Sequence, residues 1–163
     1  MHPNVARVVD AARRAGLEIE VERFPDGTRT AADAARAVGC EVAQIVKSLV
    51  FMADDSPVLA LVSGANRVDL VRLAKAVGAG AARRADGDEA RAATGFAIGG
   101  VPPFGHPVLV TVLVDQDLLS HERLWAAAGL PDAVFPIRPA DLVRASGGSV
   151  VHLSEGELRP SAN

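Results

Sequence analysis

Apolar residues recur at helical spacing from the start of the chain. Val5, Val8, Val9 and Ala12 share one face and Gly16 follows, which predicts a first helix over 4–15. Leu17, Ile19 and Val21 then alternate with Glu18, Glu20 and Glu22, a period of two that predicts a strand with one wet face. Phe24-Pro25-Asp26-Gly27 reads as a turn. Thr30 stands three residues ahead of Asp33 and before an Ala-rich run, so a capped helix is expected over 30–38, stopped by Gly39. A helical turn over 41–45 leads into a strand over 46–52 with Lys47 at its start. Asp54-Asp55-Ser56-Pro57 turns the chain, and 58–62 is an unbroken apolar run of strand length. Two such strands joined by a short turn predict a central antiparallel hairpin, with Lys47 and Ser63 near the same end.

Beyond the hairpin, Asp69 caps a helix in which Leu70, Leu73, Ala74 and Val77 share a face, and Gly78 stops it. A short segment over 81–84 precedes a helix over 86–94 whose first turn is acidic, as the helix dipole favours. Residues 94–106 read T-G-F-A-I-G-G-V-P-P-F-G-H, with three glycines and two adjacent prolines within seven residues. The run 108–114 is the strongest strand pattern, closed by Asp115. Residues 122–128 fit a helix by composition and a strand by length. A short strand over 133–137 and a helix over 139–145, led by Asp141 and ended by Ser146-Gly147-Gly148, complete a single domain over 1–154; a polar tail over 155–163 is expected to fray. The elements intermingle without a repeat, and neither a GxGxxG nor a P-loop follows a strand. The expected class is mixed α/β: a mixed, largely antiparallel sheet or partly closed barrel with helices around it.

Composition narrows the partners. With 49% hydrophobic and 23% charged residues the chain reads as globular, and with 4% aromatics and no Tyr its core must come from Val, Leu, Ile and Ala. No aromatic platform for a run of stacked bases is visible. A net charge of −3 gives no broad grip on a polyanion, so DNA is not an expected partner and any nucleic acid must be held by a small part. The single Cys40 excludes an internal disulfide and reads as a small buried hydrophobe, which suits a cytoplasmic location. No signal-type segment or membrane-length apolar run appears, so no membrane partner is expected.

The catalytic kits are quickly exhausted. His2, His106, His121 and His152 never recur at i, i+4, and Cys40 has no nearby partner, so neither a metal nor another cofactor is expected. No nucleophile elbow is present. What remains is Lys47, small polar residues such as Ser63 and Asn66, and the Gly/Pro loop, where glycine lets backbone N–H groups approach a ligand and proline stiffens the path. That set suits holding an oxyanion or phosphate better than supplying a nucleophile. The residues alone leave alternatives open: the loop as a plain turn, Lys47 as a strand-end lysine reaching water, Asp69 as only a helix cap, Asp115 as a strand closure or an orienting group. His106 is a proton shuttle or, given Pro107 beside it, a residue facing solvent.

The segments V-K-S-L-V-F, L-A-L-V-S-G-A-N-R-V-D-L with its following L-A-K-A-V-G-A, T-G-F-A-I-G-G-V-P-P-F-G-H and W-A-A-A-G with a late D-L resemble, in the same order, the YbaK/EbsC family of aminoacyl-tRNA deacylases. The same domain is inserted in bacterial prolyl-tRNA synthetases. The resemblance spans 24–142. It implies hydrolysis of the ester between a wrong amino acid and the 3'-terminal adenosine of a tRNA, with the acceptor end as partner and an aminoacyl-tRNA synthetase as a possible second one. It implies that Lys47 holds the acceptor end and that the loop of Gly99, Gly100, Pro103 and Gly105 lines the aminoacyl pocket; taken with the reading of the residues, the expected site has Lys47, Gly99 and Gly100 as catalytic and Phe24, Ser63, Asn66, Pro103, Phe104, Gly105, His106 and Asp115 as substrate-binding. Members that act on cysteinyl-tRNA are similar but carry a Ser-Gly-Gly type ending where this chain has Ala126-Ala127-Ala128-Gly129, and an acid near Val134; some have a Tyr near Phe24. Each difference removes a hydroxyl or carboxylate, so cysteine specificity is not implied. A non-catalytic module binding a nucleotide, an acceptor end or a synthetase is the alternative.

Overall fold

The computed structural model describes residues 1–24, 27–28 and 30–156. Helix α1 (Pro3–Arg14) leads to the two-residue strand β1 (Glu22–Arg23) and helix α2 (Ala31–Val38), where Thr30 and Asp33 form the expected capping box and Gly39 ends the helix at φ 77°. A 3-10 turn (Val42–Gln44) opens into the hairpin β2 (Val46–Ala53) and β3 (Ser56–Ser63). Helix α3 (Leu70–Ala76), capped by Asp69, strand β4 (Ala82–Arg84) and helix α4 (Gly87–Thr94) follow. The chain then forms β5 (Thr111–Asp115), a second 3-10 turn (Gln116–Ser120), β6 (Leu124–Ala127), β7 (Ala133–Ile137), α5 (Pro139–Ser146) and β8 (Ser149–Val151).

Two sheets result, and neither closes into a barrel. One has the order β4-β2-β3-β5-β8, antiparallel across β4, β2 and β3 and parallel from β3 through β5 to β8; the other, β1-β7-β6, is antiparallel throughout. Strand alternation sends Val46, Val50, Leu59, Leu61, Val112 and Val114 to one face, where they meet Val5, Val8 and Ala12 of α1 and the inner residues Leu124, Ala126 and Phe135 of the smaller sheet. The opposite face, with Phe51, Val58, Ala60, Val62 and Leu113, packs on Leu73 of α3 and on Leu153. The central hairpin is thus buried on both sides, as its unbroken apolar run requires.

Several expected boundaries move. The strand expected over 17–22 is paired only at Glu22, with Arg23 beyond it; the antiparallel register would next set Val21 against Phe135 and Glu20 against Pro136, which has no N–H to offer, while Leu17, Ile19 and Val21 still turn inward and Glu18 and Glu20 outward. The strand expected over 108–114 starts only at Thr111, which pairs with Val58. The next residue of β3 is Pro57, which has no N–H to offer, and Val108 and Leu109 are left exposed. The hairpin turn is two residues, Asp54 and Asp55, since Ser56 and Pro57 already pair with Ala53 and Met52. Leu70 lies outward rather than on the buried face of α3. The ambiguous segment 122–128 is strand over Leu124–Ala127, and β8 and the second 3-10 turn carry no prior sequence signal. Pro25 and Asp26 of the expected turn, and 157–163 of the expected tail, lie outside the described residues.

Candidate functional site

The outer edge of β2 is covered in two places. At its far end β4 pairs with Phe51, Met52 and Ala53, and the Ala85 N–H donates to the Val50 carbonyl (3.0 Å). At its near end Ile45 bridges to Trp125 at the start of β6. Between them the edge opens on a cavity of about 310 Å³ bordered by five consecutive residues, Val46, Lys47, Ser48, Leu49 and Val50. Such a run, uninterrupted by the strand's alternation, fits a cavity that faces the strand edge-on.

The walls are mostly methyl groups: Ala31 and Ala34 of α2, Ala85, Ala90 of α4, Ile98 and Val101 of the Gly/Pro loop, Ala126 and Ala127 of β6, and Val134 of β7. Ala127 and Val134 both add apolar surface. The polar lining is sparse. The Thr28 hydroxyl donates to the Pro131 carbonyl, and the Thr30 hydroxyl accepts the Asp33 N–H as the cap of α2. Arg84 is exposed at the border, and Ser48 Oγ is buried with no hydrogen-bond partner among the described residues.

Lys47 is half-buried, and its ammonium donates to the Asn66 carbonyl. Burial, then the nearby Arg84 and Arg67 cations, push its pKa below the usual lysine value. Behind it lies a buried polar chain. Asn66 Nδ2 donates to Asp117 Oδ2 (2.7 Å) and to Ser154 Oγ (3.0 Å), while Asp115 accepts from the Leu153 N–H (2.7 Å), the Ser154 N–H (3.3 Å) and the Ser154 hydroxyl. Ser63 donates to the Ala43 carbonyl (2.8 Å) and accepts the Ala65 N–H (3.2 Å), fixing the turn that leaves β3. Ser63, Asn66 and Asp115 therefore support the Lys47 end of the hairpin and do not line the cavity.

Of the Gly/Pro loop, Gly99 lines the cavity, at a φ of 91° that an L side chain rarely adopts. Gly100 packs against the 129–130 backbone, where a Cβ would come within 3.0 Å of the Gly129 oxygen, and its N–H is spent on the Ala97 carbonyl (3.0 Å). Pro103, Phe104 and Gly105 do not line the cavity, Phe104 being buried with its ring 5.7 Å from that of Phe135. Helix α1 braces the loops: Asn4 Nδ2 donates to the Gly129 carbonyl (3.2 Å), and the Arg7 guanidinium lies 4.2 Å from the centre of the Phe96 ring.

His106 does not face solvent as its Pro107 neighbour suggested. Its ring packs edge-on to Phe96 at 6.4 Å with Nε2 2.8 Å from the Pro102 oxygen, and burial pushes its pKa down, opposed by that carbonyl and reinforced by Arg7. Phe24 packs against the cluster of Ala34, Ile45 and Trp125 beneath the cavity. The Cys40 thiol donates to the Glu41 carbonyl, and burial followed by the Glu41 charge raises its pKa, the opposite of what activates a nucleophile. Among the described residues no group of three His, Cys, Asp or Glu is placed to hold a metal, and no helix is long and apolar enough to cross a membrane.

The family model described as the aminoacyl-tRNA editing domain matches residues 25–145. The chain belongs to the aminoacyl-tRNA editing domain family. It is similar to the crystal structure of a candidate trans-editing enzyme for prolyl tRNA synthetase, at 45% identity and a TM-score of 0.90 over 96% of this editing domain and 99% of that chain. It is also similar to a stretch of the proline–tRNA ligase of Streptococcus thermophilus, 33% identical over 137 residues, which is 82% of this chain and 22% of the ligase. Protein YwhH of Bacillus subtilis is 29% identical over 77% of this chain and 80% of its own. The editing domain thus spans about a fifth of the ligases it matches. The mixed α/β architecture is shared with the solved relatives.

Sequence reasoning missed Ser48, Arg84 and Thr28. Ser48 had a visible signal, since it is the one hydroxyl in the apolar strand 46–52. Arg84 and Thr28 had none, because β4 and the segment before α2 reach the cavity only through tertiary packing.

Proposed function

We propose that this editing domain acts in trans as an aminoacyl-tRNA deacylase, hydrolysing the ester of a tRNA carrying a small, apolar wrong amino acid, with a prolyl tRNA as the favoured carrier. The observation that carries the reading is the cavity at the β2 edge, lined by methyl groups and bordered by Lys47 and Gly99. A small aliphatic side chain matches such walls, whereas an amino acid that needs a polar partner for its side chain meets alanine at 126 and 127 and valine at 134. Lys47 and Arg84 supply the cations for the acceptor end, which has few phosphates and so suits a protein of net charge −3. An aminoacyl ester is already activated, so positioned water and stabilisation of the tetrahedral oxyanion suffice without a side-chain nucleophile. The likeness to a candidate trans-editing enzyme over 99% of its chain supports action in trans.

The test is deacylation of a panel of tRNAs charged with small amino acids by wild type and Lys47→Ala. Loss of one apolar ester with the wild type alone supports the reading, and an intact panel refutes it. Saturable binding of an acceptor end without hydrolysis would favour the second reading, a binding module, which the apolar Ala127 and Val134 walls motivate.

A further inference from the structure

The deacylase reading requires donors for a developing oxyanion, and the glycine loop supplies fewer than its composition suggests. The Gly100 N–H is already bonded to the Ala97 carbonyl. The polar side chains bordering the cavity are also mostly engaged: the Thr28 hydroxyl donates to Pro131, the Thr30 hydroxyl caps α2, and the Lys47 ammonium donates to Asn66. Ser48 differs from them. The residue borders the cavity, and its Oγ is buried with no hydrogen-bond partner among the described residues. A buried hydroxyl without a partner opposes folding, so a position that keeps one has a ligand as its natural explanation.

The strand geometry adds a second donor at the same residue. The Val50 carbonyl points away from β3, toward β4, because it accepts the Ala85 N–H. Main-chain groups on an antiparallel strand alternate sides with a period of two, so the N–H of Ser48 points to that same outer side. Ser48 lies between the stretch that β4 covers and the Ile45 bridge to Trp125, which places its N–H along the open part of the edge. Among the described residues no Asp or Glu lines the cavity, while Lys47 and Arg84 border it, so the surroundings favour negative charge.

We propose that Ser48 is the oxyanion-binding residue of this editing domain, its hydroxyl and its own main-chain N–H receiving the carbonyl oxygen of the aminoacyl ester. The inference rests on the deacylase reading. Water adds to the ester carbon and the C=O pair moves onto the oxygen, which Ser48 holds by hydrogen bonds. When that pair returns, the C–O bond to the ribose breaks, and the ribose oxygen leaves with a proton given up by the attacking water. The products are the free amino acid and the tRNA 3'-terminal hydroxyl, with one water consumed.

The experiment compares wild type, Ser48→Ala and Ser48→Thr in steady-state deacylation of the charged tRNA that the wild type hydrolyses, together with their melting temperatures. Ser48→Ala keeps the N–H and loses the hydroxyl, so kcat should fall on the order of 100-fold with KM within about twofold, as for loss of one oxyanion donor. Its melting temperature should hold or rise, because a buried unpartnered hydroxyl is gone, and Ser48→Thr should recover most of kcat. A Ser48→Ala enzyme with wild-type kcat, one altered only in KM, or one whose activity falls only in step with a lost fold overturns the assignment while leaving the deacylase reading in place. A wild type inactive on every ester fells the deacylase reading itself, and this inference with it.

Discussion

The ammonium of Lys47 donates to the main-chain oxygen of Asn66, tying the first turn of β2 to the loop that leaves β3. The bond fixes a flexible four-carbon side chain beside the cavity, and it joins the cation to the polar chain that runs through Asn66 and Ser154 to Asp115. The lysine is held by the ends of the hairpin that carries it.

Replacing Lys47 with alanine removes a charged donor from the cavity border. A hydrogen bond to a charged group contributes about 1.5–3 kcal/mol, so kcat/KM for deacylation should fall about 10- to 100-fold. Urea unfolding should be little changed, because the residue is half exposed and the Asn66 carbonyl can turn to water.

The alkaline limb of activity should appear early. Burial and the Arg84 and Arg67 charges lower the Lys47 pKa, so the ammonium is lost as pH rises through a value below the ordinary 10.5. Activity divided by the spontaneous rate of ester hydrolysis should therefore decline before an unperturbed lysine would titrate. Removing one neighbouring cation, in Arg67→Gln, should move that limb to higher pH.

Gly100→Ala should damage both fold and activity. The new Cβ would sit 3.0 Å from the Gly129 oxygen and the Leu130 Cα, backbone atoms that cannot swing aside. Overpacking of this kind costs about 1–3 kcal/mol. The urea midpoint should drop, and deacylation should fall further than stability alone explains, since Gly99 must shift with its neighbour.

Part of the fold around the cavity could be read in the chain, for identifiable reasons. Lys47 and Ser63 were expected at one end of a hairpin because a turn of fixed length sets the register of two apolar runs, and Val46 does face Ser63. Thr30 and Gly39 delimited α2 because capping is local chemistry. The apolar run 108–114 misled at its start, since propensity does not reveal that β3 has a proline where the ladder must stop. His106 misled for a similar reason: Pro107 describes the exit of the chain, whereas Phe96 and the Pro102 carbonyl decide where the ring goes. Asp115 closed its strand as read, but its partners lie almost forty residues on, beyond any sequence window.

Asp115→Ala should be the most destabilising of these changes. It strands two buried N–H groups and a hydroxyl at Leu153 and Ser154, a loss of about 3 kcal/mol or more. Amide exchange at 153 and 154 should accelerate first. Activity should fall with it, because Ser154 also holds Asn66.

Acid should weaken the fold through His106. Above the ordinary imidazole pKa of 6.5 both folded and unfolded chains carry it neutral; below that value the unfolded chain takes a proton that the buried ring declines. Stability should therefore fall as pH drops from about 6.5 toward the lower folded value. Urea midpoints between pH 7.5 and 5 should decline less steeply for His106→Gln than for wild type.

The lock between Asp115 and Ser154 also has a temporal side. During synthesis Lys47 emerges more than a hundred residues before Ser154, so the hairpin waits on the ribosome with Asn66 and Asp115 lacking their late partners. The parallel strand β8 must dock on β5 before that wait ends, and a parallel pairing cannot be made by a local turn. A nascent chain halted before residue 149 would thus carry the residues bordering the cavity yet lack the brace behind them, which ties the finished cavity wall to near-completion of translation of the domain itself.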